Sequence, residues 1–205
     1  MLTDTLYVIL LFSLFGIVHS ILASEKVKMI IKNGMPSFLP FYRIAYNGIS
    51  LITFYLAYTY APKSGEVIYD LPYPWDLIIL VPQILSFIGL IWCIKYIDGR
   101  EFLGLSQLKR YYSGNYDFEE LDEKSVLRIE GPYRFSRHPI YLFSIMFLVF
   151  RPVMNQFYLV FVICLTAYFY IGSVFEEKKL LKRFGAEYAE YQKSVSRIFP
   201  LRVRV

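Results

Sequence analysis

Two clusters of residues in this sequence have the types and placement to do chemistry. The first is Arg134, Arg137 and His138, inside the run Gly131-Pro132-Tyr133-Arg134-Phe135-Ser136-Arg137-His138-Pro139-Ile140-Tyr141, and the second is Glu176-Glu177. Arginines and backbone N–H groups hold a carboxylate, a glutamate accepts from ribose hydroxyls or an ammonium, and the faces of Tyr133, Tyr141 and Tyr188 suit an adenine or a sulfonium cation. Together they form a cage for a polar, zwitterionic ligand. The same residues also allow a simpler arrangement, in which Arg137 pairs with Glu176 or Glu177 and merely ties two chain segments together.

The elements between the clusters bring them into reach. Apolar runs from Pro139 to Phe150 and from Gln156 to Phe175, broken at Arg151-Pro152, read as a helical hairpin, so the clusters lie at the same end of it. Proline at the first position of the first arm is favourable, because its missing N–H has no partner there anyway. Glu176 to Val195 then places Leu180, Leu181, Phe184, Tyr188, Tyr191 and Val195 at spacings of three and four, which predicts an amphipathic helix weakened at Gly185.

The rest of the chain is equally apolar. With 56% hydrophobic and 19% aromatic residues among 205, it carries more apolar surface than one soluble core uses, and the expectation is an all-α, polytopic membrane protein. Residues 5 to 23 have no formal charge and span as helix one; helix two runs from about Phe41 to Ala61 and helix three from Asp76 to about Tyr96, with Pro82 and Gly89 as possible bends. With the hairpin this makes about five membrane helices, followed by the amphipathic C-terminal helix. Residues 26 to 40, 62 to 75 and 95 to 137 are read as polar connections. Residues 1 to 97 are expected to form a three-helix membrane region, and 98 to 205 a cofactor-binding region. Residues 1 to 10 lack a basic stretch, so no cleaved signal peptide is expected.

Charge sets topology. Twenty of the 22 Lys and Arg fall in the first connection with the start of helix two (Arg43), the long third connection and the tail, leaving Lys63 and Arg151 opposite, so the N-terminus is expected outside and the C-terminus in the cytoplasm. The net charge of +5 is dispersed at helix ends with no aromatic-basic recognition motif, which argues against nucleic acid. Cys93 and Cys164 lie in apolar runs as small hydrophobes. His19 near the end of helix one is either an interfacial polar residue or a proton relay, and without ligand neighbours in sequence no metal is expected.

The order Gly131-Pro132-Tyr133-Arg134, Arg137-His138-Pro139-Ile140-Tyr141, hairpin, Glu176-Glu177, Phe184-Gly185-Ala186-Glu187-Tyr188-Ala189-Glu190-Tyr191 and Pro200 resembles the isoprenylcysteine carboxyl methyltransferase superfamily of membrane methyltransferases over residues 125 to 200. His19-Ser20-Ile21-Leu22-Ala23-Ser24, Tyr42-Arg43-Ile44-Ala45-Tyr46-Asn47 and Phe102-Leu103-Gly104-Leu105-Ser106-Gln107 are similar to its bacterial branch, which includes methanethiol S-methyltransferase.

The resemblance implies S-adenosylmethionine as methyl donor on the cytoplasmic side, a bacterial or archaeal inner membrane, and an acceptor that is a small thiol or lipophilic molecule entering from the bilayer. It implies a cofactor pocket of Ser125, Val126, Leu127, Arg128, Tyr133, His138, Pro139, Ile140, Tyr141 and Glu176, supported by Arg137 and Glu177. If a thiol needs a proton acceptor, His19 and Tyr46 are the candidates. Two positions depart from the family pattern. Phe143 stands where many members have Gly, and Gly172 stands where members that methylate a prenylcysteine carboxylate have Arg, which turns the expectation away from a carboxylate acceptor. The same signature occurs in NADPH-dependent membrane sterol reductases, so a lipid reductase or isomerase using NADPH or haem is the alternative enzyme, and a membrane scaffold the non-enzymatic one.

Overall fold

The computed structural model describes residues 2–63, 65–119, 121 and 126–201. The chain divides into two compact units. One comprises Met1–Ile9, Pro62–Tyr96 and Leu127–Val205, the other Leu10–Ala61 and Ile97–Val126. Helix α1, Leu2–Leu22, belongs to both.

In the first unit, α4 (Trp75–Ile94) carries a single charge, Asp76 in its first turn, where a carboxylate complements the helix dipole, and it continues unbroken past Pro82. Helix α7 (Pro139–Val149) packs on α4. Gln83 Nε2 donates to Phe147 O at 3.1 Å, and the ring of Phe143 lies against Gly89 so closely that a Cβ there would sit 2.5 Å from ring carbons. The bulk at Phe143, unexpected from the family pattern, is thus matched by a missing side chain on the facing helix. At 11 residues α7 is about 16 Å long, half of a bilayer core.

The chain turns back through β2 (Val153–Asn155), which pairs antiparallel with β1 (Val67–Asp70). This ladder corrects the expectation of an entirely helical chain. Strands of four and three residues, bounded by prolines, are too short to reveal an alternating pattern.

Asn155 then caps α8 (Gln156–Phe184), accepting from the N–H of Tyr158 at 2.8 Å. With 29 residues, about 43 Å, α8 outlasts a hydrocarbon core of about 30 Å, so its last turns emerge as one continuous rod. The expected change of element at Glu176 is therefore a change of surroundings. The break falls at Gly185, whose φ of +55° suits glycine, and the short α9 (Ala186–Ser194) follows.

The second unit contains α2 (Glu25–Gly34), α3 (Leu39–Tyr60), α5 (Gly99–Leu103) and α6 (Leu105–Tyr112), so two segments expected to be polar connections carry helices. Ser24 caps α2 through the N–H of Val27, and Asp98 caps α5 through those of Arg100 and Glu101. The Phe102-to-Gln107 motif is the α5–α6 corner. Gly104 turns it at φ +92°, where a Cβ would press on Ile44; Arg43 Nε and Asn47 Nδ2 of α3 both donate to Phe102 O, at 3.0 and 2.9 Å. Arg110 grips the buried Glu101 with both terminal nitrogens, at 2.8 and 2.9 Å.

Among the described residues, α1, α4 and α8 are long and apolar enough to cross a membrane. Helix α3 has the length but carries Arg43 and Asn47 in its first turns, and α7 is apolar but short.

Candidate functional site

The geometry of the first unit is built around Glu177. Adjacent residues of a helix point about 100° apart, so where α8 emerges one glutamate of the pair turns inward and the other out. Glu177 shares its inward face with Ser173 and is 3% exposed, whereas the side chain of Glu176 is 51% exposed.

Glu177 is saturated. Arg137 donates to it twice, Nε at 2.8 Å and Nη2 at 3.0 Å; Gln192 Nε2, Arg197 Nη2 and His138 Nε2 complete the shell at 3.0, 3.2 and 3.2 Å. Arg137 Nη1 donates to the carbonyls of Gln192 and Val195 at 2.9 and 2.6 Å. All three of its nitrogens therefore hold the chain's own oxygens, and Arg137 acts as the tie between segments that the sequence left open. Backbone bonds reinforce it: Arg137 N to Ser196 O and His138 N to Arg197 O, both 3.0 Å, fix the strip before α7 against the chain after α9.

His138 sits at the N-terminus of α7 with both ring nitrogens facing carboxylates, Nε2 on Glu177 and Nδ1 3.5 Å from Glu176. Only the doubly protonated ring can donate to both. Burial opposes that charge, but the hydrogen bonds to Glu176 and Glu177 outweigh it and raise the imidazole pKa above its ordinary value. Pro139 is buried beside it in the first helical turn.

Glu176, the outward member, is met by Tyr141 Oη at 3.3 Å. The rings of His138, Tyr141 and Phe169 form a stacked ladder, with centroids 5.2 and 4.8 Å apart and planes within 6°. Tyr133 lies in the turn before it; Tyr191 Oη donates to its carbonyl, and burial pushes its hydroxyl up to about 12, with Arg128 pulling against it. Gly131, at φ +58°, admits the ring of Tyr96 into space a Cβ would fill. Tyr188 is 1% exposed and its hydroxyl has no hydrogen-bond partner among the described residues. Burial raises its pKa, and it is near enough to Glu177 and Arg137 to feel their charges.

Of the expected pocket residues, Tyr133, His138, Tyr141 and Glu176 come together with Arg137 and Glu177. Leu127 packs into the Tyr188–Tyr191–Val195 cluster, Arg128 and Ile140 are half-buried, Val126 is exposed, and Ser125 lies outside the described residues. Gln192, Arg197 and Phe169 were not foreseen. The first two lie far along the chain from Glu177, and only the fold reveals them as partners.

His19 and Tyr46 are in the second unit, bonded to each other: Tyr46 Oη lies 2.5 Å from His19 Nε2, and His19 Nδ1 2.8 Å from Ser50 Oγ. Ser50 gives its only proton to the carbonyl of Tyr46 at 2.7 Å, so it accepts from Nδ1. That assignment leaves Nε2 as the acceptor for the Tyr46 hydroxyl. The pair is thus a phenol backed by an imidazole lone pair, an arrangement able to take up a proton.

No family model and no solved structure matches the chain. Among curated proteins it is 29% identical over 201 residues to methanethiol S-methyltransferase 1 of Bradyrhizobium diazoefficiens, covering 95% of this chain and 66% of that protein. It is 28% identical over 199 residues to the methanethiol S-methyltransferase of Crocosphaera subtropica, and 26% over 193 residues to that of Mycobacterium tuberculosis, covering 72% and 76% of those proteins. The chain thus spans just under two thirds of the first relative's length. These similarities include both units and not only residues 125 to 200. The isoprenylcysteine methyltransferase-like reading of the motifs is therefore supported over most of the chain, which is similar to bacterial methanethiol S-methyltransferases.

Proposed function

We propose that the chain is a membrane S-methyltransferase that moves a methyl group from S-adenosylmethionine to a small thiol. The observation that carries this reading is the division of labour between the two glutamates: Glu177 is fully used inside the chain, which leaves Glu176 half-exposed beside a stacked aromatic ladder. A structural tie alone needs one glutamate. The outward one is an acceptor offered to a ligand.

The residues fit the donor. Glu176 suits ribose hydroxyls, Tyr133 offers a ring face, and the buried hydroxyl of Tyr188, without a hydrogen-bond partner among the described residues, is a polar atom that a ligand can complete. Arg137 and Glu177 are positioning residues, because their bonding atoms are engaged with the chain itself. The methionine carboxylate then falls to backbone N–H groups with Arg128 or Arg134.

S-adenosylmethionine supplies an activated methyl on a sulfonium, and its transfer to a thiolate neutralises charge, so alignment in a dry site provides most of the acceleration. The Tyr46–His19 pair would take the proton of a thiol that arrives unionised. Gly172, with open space around it and no guanidinium, fits a neutral or small acceptor over a carboxylate. The names of the relatives favour a thiol. In the membrane, α3 and α7 complete five segments with the N-terminus outside.

Titration of the purified protein with S-adenosylhomocysteine in a calorimeter tests the donor. Saturable heat is expected, and none from folded protein would overturn the reading.

A further inference from the structure

We propose that Arg197 is the anion site for the acceptor, its guanidinium receiving the thiol as a thiolate. The inference rests on the thiol-methylation reading and adds to it the group that holds the nucleophile.

Arg197 is the surplus member of the Glu177 shell. A carboxylate oxygen has two lone pairs, yet Glu177 Oε2 faces three donors, Arg137 Nη2 and Gln192 Nε2 at 3.0 Å and Arg197 Nη2 at 3.2 Å. The first two already fill the oxygen, and the Arg197 bond is the longest. Unlike Arg137, Arg197 commits little of its guanidinium to the chain: Nε is buried without a hydrogen-bond partner among the described residues, and the side chain stays 30% exposed. Charge is unmatched as well. Arg137, Arg197 and the doubly protonated His138 stand against Glu176 and Glu177, three cations to two anions. A guanidinium in excess, with an orphaned N–H in a largely enclosed place, fits one more anion.

Position decides which anion. The guanidinium lies 5.4 Å from the ring centroid of Tyr170, which precedes Glu177 by seven residues on the same face of α8, about 10 Å back along the apolar body of the helix. Arg197 therefore reaches from the carboxylates toward the hydrocarbon, the side from which a lipophilic acceptor arrives. Its backbone is fixed, because Ser136 Oγ and His138 N both donate to Arg197 O, at 3.1 and 3.0 Å, and Ile198 is buried with Leu142 and Ile145. A thiolate is a large, polarisable anion, matched by a delocalised and weakly hydrated guanidinium over an aromatic face. Its proton has gone to a base or to water. A sulfur lone pair then forms the new S–CH3 bond as the C–S bond of the sulfonium breaks, and that electron pair stays on the departing sulfur.

The test titrates thiophenol, whose thiolate has its own ultraviolet band, into the full chain in detergent with no methyl donor present, against protein-free detergent. Saturable binding is expected, with the bound thiol ionising about one pH unit or more below the free thiol, as an adjacent cation dictates. Such a shift means that the thiolate binds about tenfold more tightly than the thiol. Arg197→Gln should abolish the shift and Arg197→Lys should keep part of it, with S-adenosylhomocysteine affinity unchanged by calorimetry. Tyr170→Ala, at a side chain 56% exposed, removes the ring under the guanidinium without touching the carboxylates and should reduce the shift; it decides the matter if Arg197→Gln does not fold. No thiophenol binding, an unshifted midpoint, or a shift that survives these substitutions overturns the proposal. So does a loss of S-adenosylhomocysteine affinity in Arg197→Gln with thiol binding intact, which would assign the arginine to the methionine carboxylate. No methyl group moves in this titration, so it and the calorimetric test of the donor can fail separately.

Discussion

Replacing each glutamate of the pair in turn separates support from binding. Glu177→Gln keeps the shape but removes the charge that Arg137, Arg197 and His138 converge on, at a site 3% exposed. Breaking a buried pair by removing one partner costs about 3 to 5 kcal/mol, because the cations left behind stay desolvated. For a chain of this length each kcal/mol moves the melting temperature by about 2 to 4 °C, so a fall of about 6 to 20 °C is expected. Glu176→Gln, at a half-exposed site, should change stability by less than about 1 kcal/mol. It should instead weaken S-adenosylhomocysteine by about tenfold to a hundredfold, the worth of a charge-assisted hydrogen bond to a hydroxyl. Thermal unfolding in detergent and calorimetric titration read both quantities on the same samples. The reasoning fails if Glu177→Gln melts with the parent, or if Glu176→Gln loses stability and keeps its affinity.

His138 predicts a pH dependence. Its pKa is raised in the folded chain, so its contribution is complete below the unfolded value of about 6.5 and is lost as pH rises through the higher folded value. The melting temperature should therefore fall with pH in that window, and His138→Gln should flatten the profile. Gly89→Ala should destabilise by about 1 to 3 kcal/mol through collision with Phe143, and Phe143→Ala in the same chain should restore part of the loss, measured as a thermal double-mutant cycle. Tyr46→Phe removes the hydroxyl that faces His19 Nε2; a general base is worth about a hundredfold or more, so thiol methylation at neutral pH should drop by at least that factor and recover as pH approaches the thiol's own pKa, with circular dichroism unchanged.

The helical hairpin and its two polar flanks were legible in the sequence because proline at the first helical position and a charged pair after an apolar run are local signals. Which glutamate turns inward is left open by the sequence; the structure places Glu177 on one helix face with Ser173, Leu180 and Phe184, at spacings of four, three and four. The caps Ser24 and Asp98 start helices inside segments whose polar composition reads as connection, so those helices were not expected. Other features were beyond reach. The partners of Arg137 are mostly carbonyls, which every residue carries, so nothing in the sequence marks Gln192 or Val195 as acceptors. The fit of Phe143 against Gly89 joins residues 54 positions apart, and the β1–β2 ladder joins segments farther apart still.

The central claim is a methyl group carried from S-adenosylmethionine to a thiol, and product analysis tests it directly. Membranes containing the protein are incubated with methyl-labelled S-adenosylmethionine and a panel of small thiols, lipid amines and prenylcysteine analogues, and the products are identified by mass. Label should appear in the methyl thioether of a small thiol, and should fall with Glu176→Gln at S-adenosylmethionine concentrations below saturation. Label on a prenylcysteine carboxylate or a lipid amine would contradict the thiol acceptor, and no transfer from folded protein that binds S-adenosylhomocysteine would contradict a small-thiol S-methyltransferase.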